Sequence, residues 1–416
     1  MIVENLPVPF DRRVWSEATT LRAAGYEVSV ICPKGKGAEK SHEVIGGIHI
    51  YRHPLPLEAK GVLAYPIEYV SALFFEFWLA LRVLLTRGFD IIHACNPPDT
   101  IFLIGGFFKL FMRKQFVFDH HDINPELYEA KFGRRDFFYR LLVRLERWTF
   151  RTADISIATN HSYERIAIGR GRMPPERVFV VRSGPKLARL KILPPRPELK
   201  KGRDFLVGYV GVIGQQEGID ILLRSVGHIV HALERDDVHF GIVGDGPALE
   251  EMKRLAARLG VADHVTFAGR VGDDDLLAML NTADVCVNPD RANVMNDKST
   301  MNKIMEYMAL GKPIVQFDLT EGRFSARDAS LYAEKNDPVD FAERILDLLA
   351  DPERRARMGA YGYRRVREEL AWEYEAPKLL AAYAALERLR FKLPLPDPAS
   401  HPQPDGKVAR HVRAAE

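Results

Sequence analysis

Between Asn296 and Val315 the chain reads NDKSTMNKIMEYMALGKPIV: a loop dense in small polar residues, then a helix, a Gly311 stop and a buried strand. Met301, Ile304, Met305 and Met308 recur at helical spacing and face a core, which leaves Lys303 and Glu306, three positions apart, on a neighbouring face. A helix start offers free N–H groups and partial positive charge to a phosphate, and a carboxylate one turn further in accepts hydrogen bonds from sugar hydroxyls. Nucleotide-sugars present both groups together. The plain alternative for a Lys and a Glu at this spacing is a solvated surface ion pair.

Other residues with chemical potential stand at strand ends. FLVGYVGVI runs into Gly211 and Gly214, and the helical stretch QQEGIDILLRSV follows. Glycines there let backbone N–H groups approach a pyrophosphate, although glycine also serves tight turns alone. The arrangement recurs at the next strand end with Gly244, Asp245 and Gly246 of VGDGP, and at the one after with Arg270 and Val271 of GRV. The acidic run Asp273 to Asp275 reads as the start of a helix. Earlier in the chain, FDHHD ends a strand in two histidines and an aspartate, His120, His121 and Asp122.

Elements able to hold these residues alternate along the chain. YEVSVICP, IHIYRHP, DIIHACNPP, QFVFDHHD, DISIATN and RVFVVRSGP are expected strands in the first half. FLVGYVGVI, HFGIVGDGP, HVTFAGRV, DVCVNPD, PIVQFD and ASLYAE are expected strands in the second. Helix-length amphipathic stretches separate them, which predicts an α/β class with two Rossmann-like, doubly wound parallel sheets. MIVEN supplies half the apolar run of a central strand, so the chain is expected to start inside its first strand. Residues 1–185 then form one domain, 205–372 a second, and the Pro-rich, basic stretch 186–204 between them reads as a linker. A helix is expected over 373–391, and the polar, Pro-rich tail 392–416 reads as lacking order. Open sheets of this class bind ligands outside the carboxyl ends of their strands, where the residues above stand.

The chain has 416 residues and a formal net charge of +3, too little for generic nucleic-acid binding, so no nucleic-acid partner is expected. Its three cysteines, Cys32, Cys95 and Cys286, lie in apolar runs without ligand spacing, which argues for reduced core thiols in a cytoplasmic protein and for no metal. MIVENLPVPFDRR has neither a long apolar stretch nor a cleavage site, so a signal peptide is not expected. Glu68, Glu76 and Arg82 interrupt the apolar run Val62 to Leu85, and Lys109, Arg113 and Lys114 end the run Ile101 to Phe116. Neither run suits a spanning helix. Both runs read as helices packed on a sheet or, alternatively, as partly exposed faces at a bilayer surface, where Phe74, Phe75, Phe77, Trp78 and Leu81 form one side of an amphipathic helix and the three cations meet anionic headgroups in peripheral contact.

VGDGP, VTFAGRV, the polar loop and EYMALGKPIV, in this order, resemble family 4 of the nucleotide-sugar-dependent glycosyltransferases with the GT-B fold. DRRVWSEATTLRAAGYEVSVI and FDHHD resemble that family's first half, close to the branch that builds colanic acid, O-antigen and exopolysaccharides in bacteria. The resemblance implies two domains facing across a cleft, with the C-terminal helices packing back toward the first. It also implies a retaining hexosyl or N-acetylhexosaminyl transfer from a UDP- or GDP-linked donor to a glycan or polyprenyl-linked saccharide, with no cofactor or metal. Glu306 matches the carboxylate that holds the donor ribose; Lys298 stands where relatives carry another acid, so Lys298, Asp297 or Asn296 is left to read the sugar. Val212 and Glu217 replace the usual cationic phosphate clamp, which leaves Lys303, Lys298 and the N–H groups around Gly211 and Gly214 to neutralise the phosphates, with Ser299 and Asn302 beside them. His121 matches the active-site histidine, His120 competing and Asp122 adjacent, and Asp11, Arg12 and Arg13 stand on the acceptor side. The rivals are a sugar-nucleotide epimerase on the same fold and a non-catalytic nucleotide-sugar-binding relative.

Overall fold

A computed structural model describes residues 1–54 and 64–395, and the chain divides into two compact units. Unit 1 holds Met1–Arg182 and the chain from Glu375, and unit 2 holds Ser183–Tyr374. The tail beyond residue 395 and the start of the apolar run at Val62 lie outside the described residues.

In unit 1 the strands are β1 (Ser29–Pro33), β2 (His42–Ile45), β3 (Ile48–His53), β4 (Ile91–Cys95), β5 (Gln115–His120), β6 (Ile155–Ala158) and β7 (Val178–Val180). They pair in the orders β1-β3-β2 and β4-β5-β6-β7. Ile2 bridges Ile31 of β1 and Ala94 of β4, both in parallel, and so joins the two groups. Strand β2 was not among the sequence expectations; it returns antiparallel on β3 through Gly46 and Gly47, whose φ values of 56° and 77° suit the two-residue hairpin turn. The helices are α1 (Arg12–Ala23), α2 (Ala64–Thr86), α3 (Phe102–Met112), α4 (Asn124–Phe132), α5 (Phe137–Thr152) and α6 (His161–Gly169).

Unit 2 is an all-parallel sheet of β8 (Phe205–Val210), β9 (Val238–Val243), β10 (Val265–Gly269), β11 (Val285–Asn288), β12 (Ile314–Phe317) and β13 (Ser330–Ala333), in the order β10-β9-β8-β11-β12-β13. Around it run α7 (Ile219–Gly227), α8 (Leu249–Arg258), α9 (Asp273–Thr282), α10 (Val294–Lys298), α11 (Asn302–Ala309), α12 (Thr320–Ala326), α13 (Pro338–Ala350) and α14 (Pro352–Arg365). Side chains alternate across a strand, so Val207 and Tyr209 of β8 enter the core under α7 and α13 while Leu206 enters the one under α9 and α11. All twelve strands expected from the sequence form.

The stretch 186–204 is not a bare tether. Turns at Leu187–Arg189 and Pro197–Lys200 pack Leu187, Leu190, Leu193 and Leu199 onto the α9–α11 core, and Asn281 Nδ2 donates to Lys191 O at 3.0 Å. The last helix, α15 (Trp372–Arg390), joins unit 1 from Glu375, and Tyr383 on it reaches β4 through His93 at 2.9 Å.

In both sheets the order of strands reverses once, between the Ile2 segment and β4 in unit 1 and between β8 and β11 in unit 2. Chain connections leave in opposite directions at such a point and open a crevice at the carboxyl ends, the favoured ligand position.

Candidate functional site

At the switch point of unit 1, Asp119 near the end of β5 is fully enclosed and gathers four residues. Arg13 on α1 donates from Nη2 to Asp119 Oδ1 at 2.8 Å, and His121 Nε2 lies 2.6 Å from Asp119 Oδ2. His93 Nε2 on β4 approaches the same oxygen at 3.3 Å, and Glu17 meets Arg13 Nη2 at 3.1 Å. Arg13 Nε also lies 2.9 Å from His121 Nε2. One ring nitrogen cannot both accept from arginine and donate to aspartate, and the shorter contact makes it the donor to Asp119. Nδ1 is then the nitrogen of His121 left for a ligand.

Burial alone would raise Asp119, but the Arg13 guanidinium and the two imidazoles outweigh it and hold the carboxyl well below its usual range. Burial dominates at Glu17 despite Arg13 and pushes that carboxyl well above its usual range, so one anion balances one cation. The loop after β5 is fixed by Asn96, whose Oδ1 accepts from His121 N at 2.7 Å and Asp122 N at 3.1 Å. Its Nδ2 donates to Asp122 O at 2.6 Å. Asp122 is half-buried, and desolvation raises its carboxyl.

Two readings of this region are corrected. His120 is not an alternative to His121: it is enclosed among Phe118, Phe150 and Tyr163, while His121 keeps an exposed edge. Arg13, expected on the acceptor side, is not open to an acceptor, because Asp119, Glu17 and the carbonyl of Val181 take its guanidinium. Arg12 is exposed, and Asp11 caps α1 by accepting from Val14 N at 3.0 Å.

At the switch point of unit 2, α11 lies across the ends of β8 and β11. The Tyr307 hydroxyl accepts from Val210 N at 2.9 Å and reaches Val287 O at 3.3 Å, which fixes the rotation of the helix. Lys303 and Glu306 do not pair with each other. Lys303 Nζ lies 3.0 Å from both oxygens of Asp290, just past β11, and 4.9 Å from the centre of the Tyr209 ring. Burial would lower Lys303, but Asp290 and Tyr209 outweigh it and keep the ammonium charged. Desolvation raises Asp290 against the pull of Lys303. Glu306 forms an ion pair with Arg189, from the stretch expected to be a linker, and Arg189 Nη1 lies 3.6 Å from Asp273.

The glycines serve packing rather than phosphate contact. A Cβ on Gly244 would sit 1.7 Å from Gly211 O, one on Gly246 2.4 Å from Ile213 O, and one on Gly211 2.6 Å from Tyr209 Oη. The loops after β8 and β9 therefore pass backbone against backbone, which only glycine permits, and Gly211 also lies against the Tyr209 hydroxyl. Gly211 N donates to Val243 O at 3.0 Å and Gly244 N to Gly269 O at 2.9 Å, so neither is free for a pyrophosphate. Gly214 N–H serves the carboxylate of Glu217, and Asp245 Oδ1 accepts from Gly246 N at 2.7 Å. Asn296 is buried, donating to Gln216 O and Arg291 O, both at 2.9 Å, and Asp297 accepts from Thr320 N at 3.0 Å. Asn296 is thus committed to the fold through its amide nitrogen, while Asp297 keeps lone pairs beyond its bonds to Thr320. Ser299 Oγ donates back to Met295 O at 2.8 Å. Lys298 is half-buried at the end of α10, Asn302 is exposed at the start of α11, Arg270 is exposed after β10, and Val271 packs on the α9–α11 core.

Sequence reasoning missed Arg189, Asp290, Asn96, Asp119 and Glu17. Asp290 and Asn96 carried a usable signal, since each follows a strand. Nothing local marked Arg189 or Glu17.

Two family models match the chain. Residues 11–189 match the Glycosyltransferase Family 4 model and residues 204–351 match Glycosyl transferases group 1. A GDP-mannose-dependent alpha-(1-6)-phosphatidylinositol monomannoside mannosyltransferase of Mycobacterium tuberculosis is 31% identical over 168 residues, 39% of this chain and 43% of that protein. A D-inositol 3-phosphate glycosyltransferase of Thermomonospora curvata is 30% identical over 232 residues, 50% of this chain and 52% of that protein. The chain thus spans about half the length of the curated relatives it matches. Among solved structures, sucrose-phosphate synthase of Thermosynechococcus elongatus superimposes with TM-score 0.76 at 20% identity, over 93% of this chain and 98% of that one. Anabaena HepE in complex with UDP-glucose gives 0.70 at 16% identity, over 92% and 99%.

Proposed function

We propose that this chain, which belongs to the family 4 glycosyltransferases with GT-B architecture, is a retaining transferase. It moves a hexosyl or N-acetylhexosaminyl group from a UDP- or GDP-linked donor to a glycan or lipid-linked saccharide in bacterial surface polysaccharide synthesis. The observation that carries the reading is the unit 2 switch point, where a charged Lys303 and a carboxylate at Glu306 stand one helical turn apart on a helix pinned by Tyr307. Glu306 accepts from the donor ribose. Lys303 neutralises the diphosphate as the bond from anomeric carbon to phosphate oxygen breaks. The acceptor oxygen adds on the same face and passes its proton to the departing phosphate, so the protein contributes position and charge rather than a nucleophile. In unit 1, Asp119 holds His121 through Nε2 and leaves Nδ1 for a ligand.

Donor binding tests the reading. Glu306→Ala removes charge-assisted hydrogen bonds and is expected to weaken donor affinity by about 1.5–3 kcal/mol. Calorimetric titration showing unchanged affinity in the folded variant removes the assignment. Because Arg189 holds Glu306 in the free chain, Arg189→Ala is a useful companion. It separates a carboxylate awaiting the ribose from one committed to the fold.

A lipid-linked acceptor calls for peripheral contact with an anionic leaflet, and the exposed face for it differs from the one read in sequence. Among the described residues no helix is long and apolar enough to cross a membrane. On α2, Phe74 and Trp78 are 65% and 60% exposed, while Phe75 stacks on His53 and Phe77 packs on Phe107. Lys109 is tied to Asp154 at 2.8 Å, and Lys114 lies over the Phe89 ring. Arg113 is exposed after α3, and three further exposed cations stand on α5, where Arg140, Arg144 and Arg151 alternate with exposed Phe137, Leu141 and Trp148. Flotation with anionic liposomes is expected to show binding that weakens in high salt and when the three arginines become Gln, at roughly 1 kcal/mol per cation. Failure to float at low salt points to a soluble acceptor.

A further inference from the structure

Glu4, His53 and Glu76 come together in unit 1 from three separate elements: the loop after the Ile2 bridge, the end of β3 and the middle of α2. Each offers one ligand atom, and the three atoms lie within 4.8 Å of one another. His53 Nε2 is 3.2 Å from Glu4 Oε2. Glu76 is fully buried; Glu4 is the group its carboxyl meets, and no N–H or hydroxyl donor reaches its oxygens among the described residues.

The histidine is oriented for ligation. Its Nδ1 lies 3.0 Å from the carbonyl of Pro54, which accepts the Nδ1 hydrogen and leaves Nε2 with a lone pair directed at the two carboxylates. The Phe75 ring stacks on the imidazole, with 4° between the planes, and fixes its orientation. Three electron-pair donors thus converge in a buried space.

Two other clusters of ligand atoms, His93–Cys95–Asp119 and Glu17–Asp119–His121, share Asp119. They already contain a cation, because Arg13 Nη2 is 2.8 Å from Asp119 Oδ1. No Arg or Lys forms an ion pair with Glu4 or Glu76 among the described residues.

We propose that Glu4, His53 and Glu76 bind a divalent first-row transition ion, Zn²⁺ fitting best. One imidazole and two carboxylates form the borderline donor set such ions take, whereas Ca²⁺ requires six to eight oxygens. Two carboxylates also balance the ion's charge. Burial and the charge of Glu4 push the Glu76 carboxyl well above its usual range, and that carboxyl must give up its proton to ligate. The ion ties the loop that leads from Glu4 to the α1 cap at Asp11 onto β3 and α2, so its role is structural and independent of the transfer reaction proposed above.

The test uses the full chain purified without a polyhistidine tag, stripped by chelator and titrated with Zn²⁺. Bound metal is read by mass spectrometry and the melting temperature is followed. The expected result is one ion per chain, a higher melting temperature with Zn²⁺, and affinity lowered at least about 10–100-fold in both His53→Gln and Glu76→Gln. Absence of saturable binding in the unaltered chain overturns the proposal, and that measurement does not depend on any variant folding. Binding kept by Glu76→Gln or by His53→Gln also overturns it. So does binding lost in His93→Gln alone, which places the ion on the other cluster. With Glu76 then carrying its own proton, Glu76→Gln is expected to preserve the melting temperature.

Discussion

Asp119→Asn is expected to cost unit 1 about 3–5 kcal/mol of stability, because it leaves the guanidinium of Arg13 buried without its counter-charge. For a unit of this size that corresponds to a fall of roughly 6–20 °C in the transition that reports unit 1. A shift below about 2 °C would mean that Glu17 or a backbone carbonyl carries the charge balance instead. The pH dependence has a definite sign. Asp119 is held below its unfolded value, so its contribution is complete above an ordinary carboxylate pKa near ~4 and fades as pH falls through the folded value. Wild type and variant should therefore differ most near neutrality and converge in acid. Arg13→Met removes the cation instead and leaves a buried anion free to take up a proton, so it is expected to be milder than Asp119→Asn at low pH. Activity should fall in Asp119→Asn as well, because His121 loses the acceptor that sets its tautomer.

Lys303→Met is expected to lower affinity for a nucleoside diphosphate roughly 10–100-fold while leaving the nucleoside unaffected. The ammonium is the charge that α11 brings to the end of β11, and the N–H groups of Gly211 and Gly244 are spent within the sheet. Equal losses for the two ligands would place the phosphate elsewhere, with exposed Arg270 and half-buried Lys298 the next cations to replace. The substitution also strips Asp290 of its partner. Burial already raises Asp290 above its unfolded value, and loss of Lys303 raises it further. A carboxyl raised in the folded state loses stability as pH climbs above the unfolded value, so the variant should melt at higher temperature at about pH 5 than at about pH 8. Adding Asp290→Asn should restore stability without restoring diphosphate binding. Recovery of both would show that Lys303 serves the fold alone.

The strands were legible because their cues are local. Apolar runs of five or six residues ending in small or polar ones persist whatever surrounds them, and every one so read formed a strand. The hairpin strand β2 escaped because His42–Ile45 lies at a sheet edge, exposed or half-buried, with little apolar content. The glycine loops were legible in position but not in purpose. A glycine required by another backbone and one required by a phosphate look alike in sequence, and only the contact of Gly244 with Gly211 O separates them.

By itself the sequence determined two parallel α/β sheets, the strand ends that carry polar residues, and α11 with Lys303 and Glu306 one turn apart. Periodicity and turn chemistry act over a few residues, so these follow from neighbours along the chain. Only the tertiary structure decided what each charge meets. Arg13 finds Asp119 across 106 residues, Arg189 finds Glu306 across 117, and Glu76 closes on Glu4 and His53 from another element. Coulomb attraction and the cost of losing water depend on distance and burial in space, which spacing in sequence does not encode. A lysine and a glutamate that look paired along one helix are therefore drawn apart, each to the partner that the sheet brings within reach.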